Sequence, residues 1–293
     1  MNEIILLTDT ASDLNESVIK EFNITRIPFY VSFNQVDYFK EITEISIQDF
    51  YKKMREDKVF PKTSLPSIND YLEVFTPLIE AGKSIICVCL SGHFSGSYSS
   101  AVNAKELILE NYPNAQIAII NSLNATGGQG LLVTEIGRMI ADGLEFDQIL
   151  SLTDKLIEKA RIFFFVDTLD YLEHGGRIGK ASALLGTMLN VKPILYLEKG
   201  QLFPLAKVRG KKKAIAKIID AAREYVGASP ENYNYIVGHA DNIEDAHNIL
   251  QAAKDAIPAY IPDEYFFIGV TIGVNTGPDA CGICVIPKYE TLM

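Results

Sequence analysis

The chain has 293 residues, of which 48% are hydrophobic and 22% are charged, and its formal net charge is −10. That length accommodates about two domains, each with its own core. The acidic balance argues against a nucleic-acid ligand and against electrostatic binding to anionic membranes. No segment approaches the ~18 apolar residues of a membrane span, and the first apolar run is too short for a signal peptide. We therefore expect a globular cytoplasmic protein.

Apolar strands alternate with helices through the first half of the chain. The predicted strands are residues 3–8, 27–33, 85–90 and 116–120. The predicted helices are residues 14–22, 46–56, 68–80, 131–142 and 146–160, with a further helix from residue 98 onward. Asp9 and Ser12 are interpreted as caps of the first helix. The alternation predicts a parallel sheet with helices on both faces, whose binding loops lie at the carboxyl ends of the strands.

The second half of the chain contains more strands. Those predicted are residues 162–166, 192–198, 201–208, 233–239, 264–273 and 282–287, with helices at 180–189, 211–226 and 243–256. Lys199-Gly200 predicts a hairpin turn between two of the strands. We therefore predict an α/β protein of two domains. Residues 1–158 form an N-terminal α/β domain with a parallel sheet, and residues 159–293 form a C-terminal α/β domain with a largely antiparallel sheet.

A turn rich in glycine and serine follows the strand at 85–90. Residues 91–97 read SGHFSGS, and a helix begins directly after them. Unpaired N–H groups at the start of a helix favour a negative group, and the hydroxyls of Ser91, Ser95 and Ser97 add donors. The turn therefore has the character of a site for a small anion. The alternative is that Ser95 or Ser97 only caps the helix, and the local pattern leaves both interpretations open.

Residues 61–67, with the sequence PKTSLPS, form a second loop rich in hydroxyl groups. Pro66 biases Leu65 away from helical backbone, so Thr63 and Ser64 are expected on extended backbone. Ser67 is then the expected N-cap of the helix at 68–80. This loop is the second candidate source of donors for a ligand.

The chain has four cysteines: Cys87, Cys89, Cys281 and Cys284. The last two have the spacing of a redox or zinc pair. Both pairs nevertheless lie inside apolar, strand-like runs, which favours buried free thiols. We expect no metal site and no cofactor.

Six short segments occur along the chain in this order: TDTASDL at 8–14, TSLPS at 63–67, SGSYSSA at 95–101, DTLDYLEHGGRIGK at 167–180, KPIL at 192–195 and NTGPDA at 275–280. Each is weakly diagnostic alone. Together they resemble the DegV family of bacterial fatty-acid-binding proteins, almost from end to end. The resemblance implies a long-chain fatty acid between the two domains, held as a ligand.

The resemblance also implies which residues hold the carboxyl group of that acid. Thr63 and Ser95 are expected as its main hydrogen-bond partners. Ser64, Gly96 and Arg177 are expected as supporting neighbours.

The segment that begins at Asn275 departs from the family, because most members have histidine there. Asn275 and Thr276 are still expected to contact the ligand carboxyl group, but an amide cannot titrate or carry charge. A second departure is Asn121-Ser122, where the family often has Asp-Ser. Both changes remove a titratable group from the expected site.

Some members of the family present the bound acid to a separate kinase, which forms an acyl phosphate for lipid synthesis. The carrier itself performs no chemistry in that scheme. The resemblance therefore implies a lipid-binding carrier, not an enzyme, with a fatty acid kinase as its protein partner. The two departures bear on the kinase partnership more than on binding of the acid.

The basic residues have different expected roles. Arg177 is expected behind the carboxyl site, with its guanidinium positioned by Asp167 or Asp170 in the same loop. A basic cluster at the start of a predicted helix is either a solvated surface or a docking site for an acidic partner. Its members are Arg209, Lys211, Lys212 and Lys213.

The hydrocarbon tail requires space inside an otherwise close-packed core. Gly176, Ala183 and Gly186 are the small residues that we expect to provide it. They lie among large apolar residues at 163–165, 184–185 and 188–189, most of which are interpreted as ordinary core.

Two other functions compete with fatty-acid binding. Ser95 follows His93 by two positions, which raises a serine hydrolase or acyltransferase as the alternative function. The order G-x-x-S-G nevertheless differs from the G-x-S-x-G turn of such enzymes. A phosphate-binding domain is the other alternative, but residues 127–130 (GGQG) lack both the spacing and the lysine of a phosphate-binding loop.

Overall fold

The computed structural model describes residues 3–186 and 191–293. Its strands are β1 (Ile4–Asp9), β2 (Thr25–Ile27), β3 (Tyr30–Ser32), β4 (Phe39–Lys40), β5 (Lys62–Ser64), β6 (Ser84–Cys89), β7 (Ile117–Asn121), β8 (Arg161–Phe165), β9 (Val191–Glu198), β10 (Gln201–Arg209), β11 (Tyr233–His239), β12 (Tyr265–Phe267) and β13 (Cys281–Pro287). Its α-helices are α1 (Glu16–Glu21), α2 (Ile47–Asp57), α3 (Ile68–Glu80), α4 (Ser97–Asn111), α5 (Thr126–Ala141), α6 (Phe146–Lys159), α7 (Asp170–Gly175), α8 (Lys211–Val226), α9 (Ile243–Ala256) and α10 (Val270–Thr276). Short 3-10 helices occupy Thr10–Ser12, Gly179–Leu184, Pro230–Asn232 and Tyr289–Leu292.

The first sheet consists of four parallel strands in the order β2-β1-β6-β7. Strand β6 is buried along its whole length, as a central strand covered on both faces must be. Side chains alternate between the faces of a strand. Ile85 and Cys87 therefore pack with helices α3 and α4, whereas Ile86 and Val88 pack on the side of α5. The predicted parallel sheet is confirmed.

The second sheet has six strands in the order β10-β9-β8-β13-β11-β12. All neighbouring pairs are antiparallel except β11 and β12, which are parallel. Phe163 and Phe165 point to the face that helices α8 and α9 cover. Ile162 and Phe164 point to the opposite face, toward α5 and the first sheet. The prediction of a largely antiparallel second sheet is confirmed.

Helix α5 connects the two halves because it contacts strands of both sheets. Buried residues from the first half, such as Leu6 and Ile86, and from the second, such as Ile162 and Leu195, form one continuous core. The predicted boundary after residue 158 falls near the end of α6, just before β8. Its position remains a prediction. Within the described residues, no helix combines the length and the apolar character that crossing a bilayer requires.

One predicted strand, 27–33, is wrong because it is two strands in different sheets. Strand β2 pairs with β1, whereas β3 belongs to a small separate sheet in the order β4-β3-β5. Pro28 lies at the break, and proline has no N–H to donate to a neighbouring strand. After this break the chain leaves the first sheet, and β3 pairs with β5, the strand that contains Thr63.

Three other predicted elements differ from the structure. Residues 264–273 form the short strand β12 and then helix α10, although their β-branched residues favour a strand. Helix α5 already begins at Thr126, so the glycines at 127–130 lie inside it. The predicted helix at 180–189 is a 3-10 helix over Gly179–Leu184, and its last predicted residues lie outside the described part of the chain.

Candidate functional site

A cavity of about 140 Å³ lies between the second sheet and the elements that face it. Because a cavity needs ~10–15 Å³ to hold one water molecule, this volume is equivalent to roughly ten water molecules. The sheet contributes apolar side chains such as Ile162, Phe164 and Leu197. Helices α5 and α10 and the turn before α4 form the other walls. The cavity therefore has one apolar face and one face built from helix ends and loops.

Six of the seven residues predicted to hold the carboxyl group line this cavity: Thr63, Ser95, Gly96, Arg177, Asn275 and Thr276. Gly96 and Arg177 are exposed, so the cavity opens to solvent at this end. Ser64 is not among the lining residues. It is exposed on β5, next to Thr63, and side chains of adjacent strand residues point to opposite faces.

The hydroxyl groups at this end differ in their hydrogen bonds. Thr276 donates to the Ile272 carbonyl at 3.2 Å, and the Asn275 amide donates to the Thr271 carbonyl at 3.3 Å. The Ser95 oxygen accepts the Ser97 N–H at 3.2 Å. Among the described residues, neither the Ser95 hydroxyl nor the Thr63 hydroxyl has an acceptor for its own proton. These two hydroxyls are therefore available to donate to a ligand.

The buried carboxylate of Asp9 anchors the turn at 91–97, whereas the sequence predicts that Asp9 caps the first helix. Asp9 ends β1 and accepts hydrogen bonds from the Leu90 N–H (2.8 Å), the Ser97 hydroxyl (2.8 Å) and the Gln129 side chain (2.9 Å). Burial raises the pKa of Asp9 to about 6. Helix α1 begins after Asn15. The feature of the sequence that could have revealed this role is the position of Asp9 at the carboxyl end of a predicted parallel strand.

Asn121 supports the same turn from the neighbouring strand. Its side-chain oxygen accepts the Gly92 N–H at 3.1 Å and the Leu123 N–H at 3.3 Å. The amide thus holds the turn without contributing charge.

Two further carboxyl groups, the half-buried Asp13 and the buried Glu41, hold the wall opposite the sheet. Thr126 donates to Asp13 at 2.5 Å, and Thr271 donates to Glu41 at 2.7 Å. Both threonines line the cavity. Burial raises the pKa of both carboxyl groups, and repulsion from Glu41 adds to the effect on Asp13. The sequence did not reveal these two carboxyl groups, because their partners, Thr126 and Thr271, are distant from them in sequence.

Arg177 lies at the open end of the cavity, but its predicted pairing with an acidic neighbour is wrong. Its Nε atom donates to the Phe94 carbonyl at 3.1 Å, and its Nη1 atom donates to the Gly175 carbonyl. Asp167 pairs instead with Lys192. Backbone carbonyls therefore orient the guanidinium, and Nη2 has no acceptor among the described residues.

The small residues that create space for a ligand are not those predicted. Gly176, Ala183 and Gly186 are exposed and do not line the cavity. Gly238 and Gly282, on adjacent strands of the second sheet, do line it. They were missed because their pairing depends on strand register, which local sequence does not reveal.

The predicted docking residues lie where β10 meets α8. Arg209 and Lys212 are exposed, whereas Lys211 forms an ion pair with Asp245 at 2.8 Å. Their role in docking is not tested by this arrangement.

The Ser95 hydroxyl forms no hydrogen bond with a histidine in the described part of the chain, and His93 lies against Gly200 of the β9–β10 turn. All four cysteines are buried free thiols. Residues 3–186 and 191–293 contain no group of three or more His, Cys, Asp or Glu side chains suited to a metal ion.

Known proteins similar to this chain cover nearly its whole length. A DegV domain-containing protein from Caldanaerobacter subterraneus is 35% identical over 285 residues, which are 97% of this chain and 98% of that protein. A stearic-acid-binding protein from Eubacterium ventriosum superposes with a TM-score of 0.92 at 35% identity, covering 99% of this chain and all of the other. A fatty-acid-binding DegV family protein from Thermus thermophilus superposes with a TM-score of 0.87 at 26% identity, covering 97% and 99% of the two chains.

Residues 3–288 match the model of the DegV family, which is described as a family of uncharacterised proteins. That match extends over nearly the whole chain and agrees with the motifs, the relatives and the fold of two main sheets. The chain therefore belongs to the DegV family.

Proposed function

We propose that this protein binds one long-chain fatty acid in the cavity between its second sheet and the helices and loops that face it. The carboxylate accepts hydrogen bonds from Thr63 and Ser95 at the open end, and the hydrocarbon tail lies against the second sheet. The observation that carries this proposal is the presence of two free hydroxyl donors at one end of a largely apolar cavity. The fatty acids bound by its structural relatives support it.

The tail and the carboxylate of the ligand contribute different amounts of binding free energy. Each buried methylene contributes ~0.8 kcal/mol, so ~14 methylenes offer on the order of 11 kcal/mol before binding costs. A hydrogen bond to a charged acceptor contributes about 1.5–3 kcal/mol. The tail therefore supplies most of the affinity, and the hydroxyl groups determine the orientation of the ligand and add a smaller part of the affinity. Helix α4 adds a favourable partial positive charge, because its N-terminus begins directly after Gly96.

Mass spectrometry of the purified protein tests this function. The protein is expressed in a bacterial host, and its mass is measured under native conditions and after denaturation. We expect a native mass increased by one long-chain fatty acid, and the same acid in an organic extract of the denatured protein. A bound nucleotide or sugar phosphate in its place would refute the proposal.

The protein is further proposed to present the acid to a separate fatty acid kinase. Gly96 and Arg177 are exposed at the carboxyl end of the cavity, which supports access of a second protein to the head of the ligand. The basic cluster of Arg209, Lys211 and Lys212 is proposed to dock this partner. In a reaction with a bacterial fatty acid kinase and ATP, the loaded protein should yield an acyl phosphate. No product with any kinase that phosphorylates related carriers would contradict this role, while leaving fatty-acid binding intact.

A further inference from the structure

One row of paired residues crosses the second sheet on the side of the cavity. Phe266 on β12 pairs with Gly238 on β11, Gly238 pairs with Gly282 on β13, and Gly282 pairs with Phe164 on β8. Directly paired residues project from the same face of a sheet. All four of them line the cavity. Gly282 therefore leaves a trough between Phe164 and the ring of Phe266, which lies over Gly238.

The ring of Phe266 closes one side of this trough. A methyl group added at Gly238 would overlap three carbons at the edge of that ring. A methyl group added at Gly127 on helix α5 would overlap the same edge. The ring is thus inserted between the sheet and the helix, in contact with glycines on both sides. Phe266 is only 2% exposed, so it forms an internal wall.

Phe266 lies at the edge of the sheet opposite to the carboxyl end of the cavity. The turn between β9 and β10 contacts the turn at 91–97, because a methyl group at Gly200 would lie 2.7 Å from the Ser91 oxygen. Strand β12 is the other edge of the same sheet. With ~4.8 Å between neighbouring strands, the four intervals from β9 to β12 span roughly 19 Å. The hydrocarbon core of a bilayer is ~30 Å thick, so the acyl chains of one leaflet occupy ~15 Å of it. A span of roughly 19 Å across the sheet therefore suits a long acyl chain.

We infer that Phe266 is the residue that limits the length of the acyl chain. This inference rests on the proposed function. The tail runs along the second sheet, crosses the trough at Gly282 and ends against the Phe266 ring. Each methylene that the cavity buries strengthens binding about fourfold. The gain stops when the tail reaches the ring, so affinity should rise with chain length and then reach a maximum.

The test compares wild type with Phe266→Leu and Phe266→Ala in displacement titrations with a series of saturated fatty acids. We expect the maximum to move to longer acids in both variants. An acid two carbons longer than the wild-type optimum should bind Phe266→Ala roughly sixteenfold more tightly than it binds wild type. The leucine variant keeps an apolar side chain in the wall and is expected to fold even if the alanine variant does not.

Phe163→Leu provides the matched control. It makes the same change on the same sheet, but its side chain packs on the opposite face with α8 and α9. It should lower stability and leave the preferred chain length unchanged. A length profile shared by wild type and both Phe266 variants would overturn this inference alone. Failure of wild type to bind any acid of the series would overturn the proposed function as well.

Discussion

Removal of the Ser95 and Thr63 hydroxyls at the open end of the cavity should weaken the binding of fatty acids with an ionised carboxylate. The changes are Ser95→Ala and Thr63→Val, which remove one hydroxyl each. Neither hydroxyl has an acceptor for its proton among the described residues, so each is free to donate to the ligand. Valine preserves the β-branched shape that suits Thr63 on its extended strand.

The expected size of the effect follows from the charge of the acceptor. A hydrogen bond to a charged group contributes about 1.5–3 kcal/mol, so each substitution should weaken binding roughly 10–150-fold. The double variant should lose at least roughly 100-fold if the two contributions add. A long-chain alcohol of the same length lacks the carboxylate charge. Its affinity should therefore change much less than that of the acid.

Thr276→Val is the matched control for these substitutions. Thr276 also lines the cavity, but its hydroxyl already donates to the Ile272 carbonyl. Its replacement should change affinity by no more than about threefold. The assay is displacement of a fluorescent fatty acid by palmitate, with urea unfolding to verify stability. A double variant that binds palmitate as wild type does would refute the assigned orientation of the ligand.

Three further predictions concern the surroundings of the site. Burial raises the pKa of Asp9 from 3.8 to about 6, so its contribution to stability is complete below about pH 4 and is lost as the pH rises to about 6. The full loss amounts to about 3 kcal/mol, so the margin by which wild type exceeds Asp9→Asn in unfolding free energy should be about 2–3 kcal/mol larger at pH 4 than at pH 7. A difference independent of pH would contradict the raised pKa. Arg55 joins α2 to two segments, the one between β11 and α9 and the one after α10, through hydrogen bonds to Asp241 and Asp279. Arg55→Ala should therefore lower the urea unfolding free energy by about 1–2 kcal/mol, a modest value because the guanidinium is partly exposed. Arg55→Lys should recover only part of this loss, and full recovery would show that the fork of hydrogen bonds is unimportant. Asn275→His should increase acyl-phosphate formation by a fatty acid kinase if the amide limits that step, and an unchanged yield would show that it does not.

Elements with strong local signals were predictable from the sequence. Ser67 caps helix α3 as expected, with its hydroxyl accepting the Asp70 N–H. Thr63 and Ser64 lie on extended backbone because Pro66 disfavours a helix before it. In these cases the deciding interactions lie within a few residues of one another.

The residues that the sequence did not reveal depend on contacts between distant segments. Asp9 acquires its role from donors directly after β6, on α4 and on α5, which are 80 or more residues away. Gly238 and Gly282 lie side by side along the cavity only because β11 and β13 are in register. The β-branched run at 270–274 favours a strand locally, but Thr271 bonds to the buried Glu41 carboxylate as part of α10. Tertiary packing overrides local preference at each of these positions.

The most direct test of the account is a crystal structure of the protein bound to a long-chain fatty acid with bromine on its last carbon. Anomalous scattering from the bromine locates the end of the tail independently of the head. We predict a bromine peak beside Phe266, with the carboxylate oxygens about 2.5–3.0 Å from the hydroxyl oxygens of Thr63 and Ser95. A bromine peak beside Arg177 at the open end, or a carboxylate buried among the apolar residues of the second sheet, would contradict it.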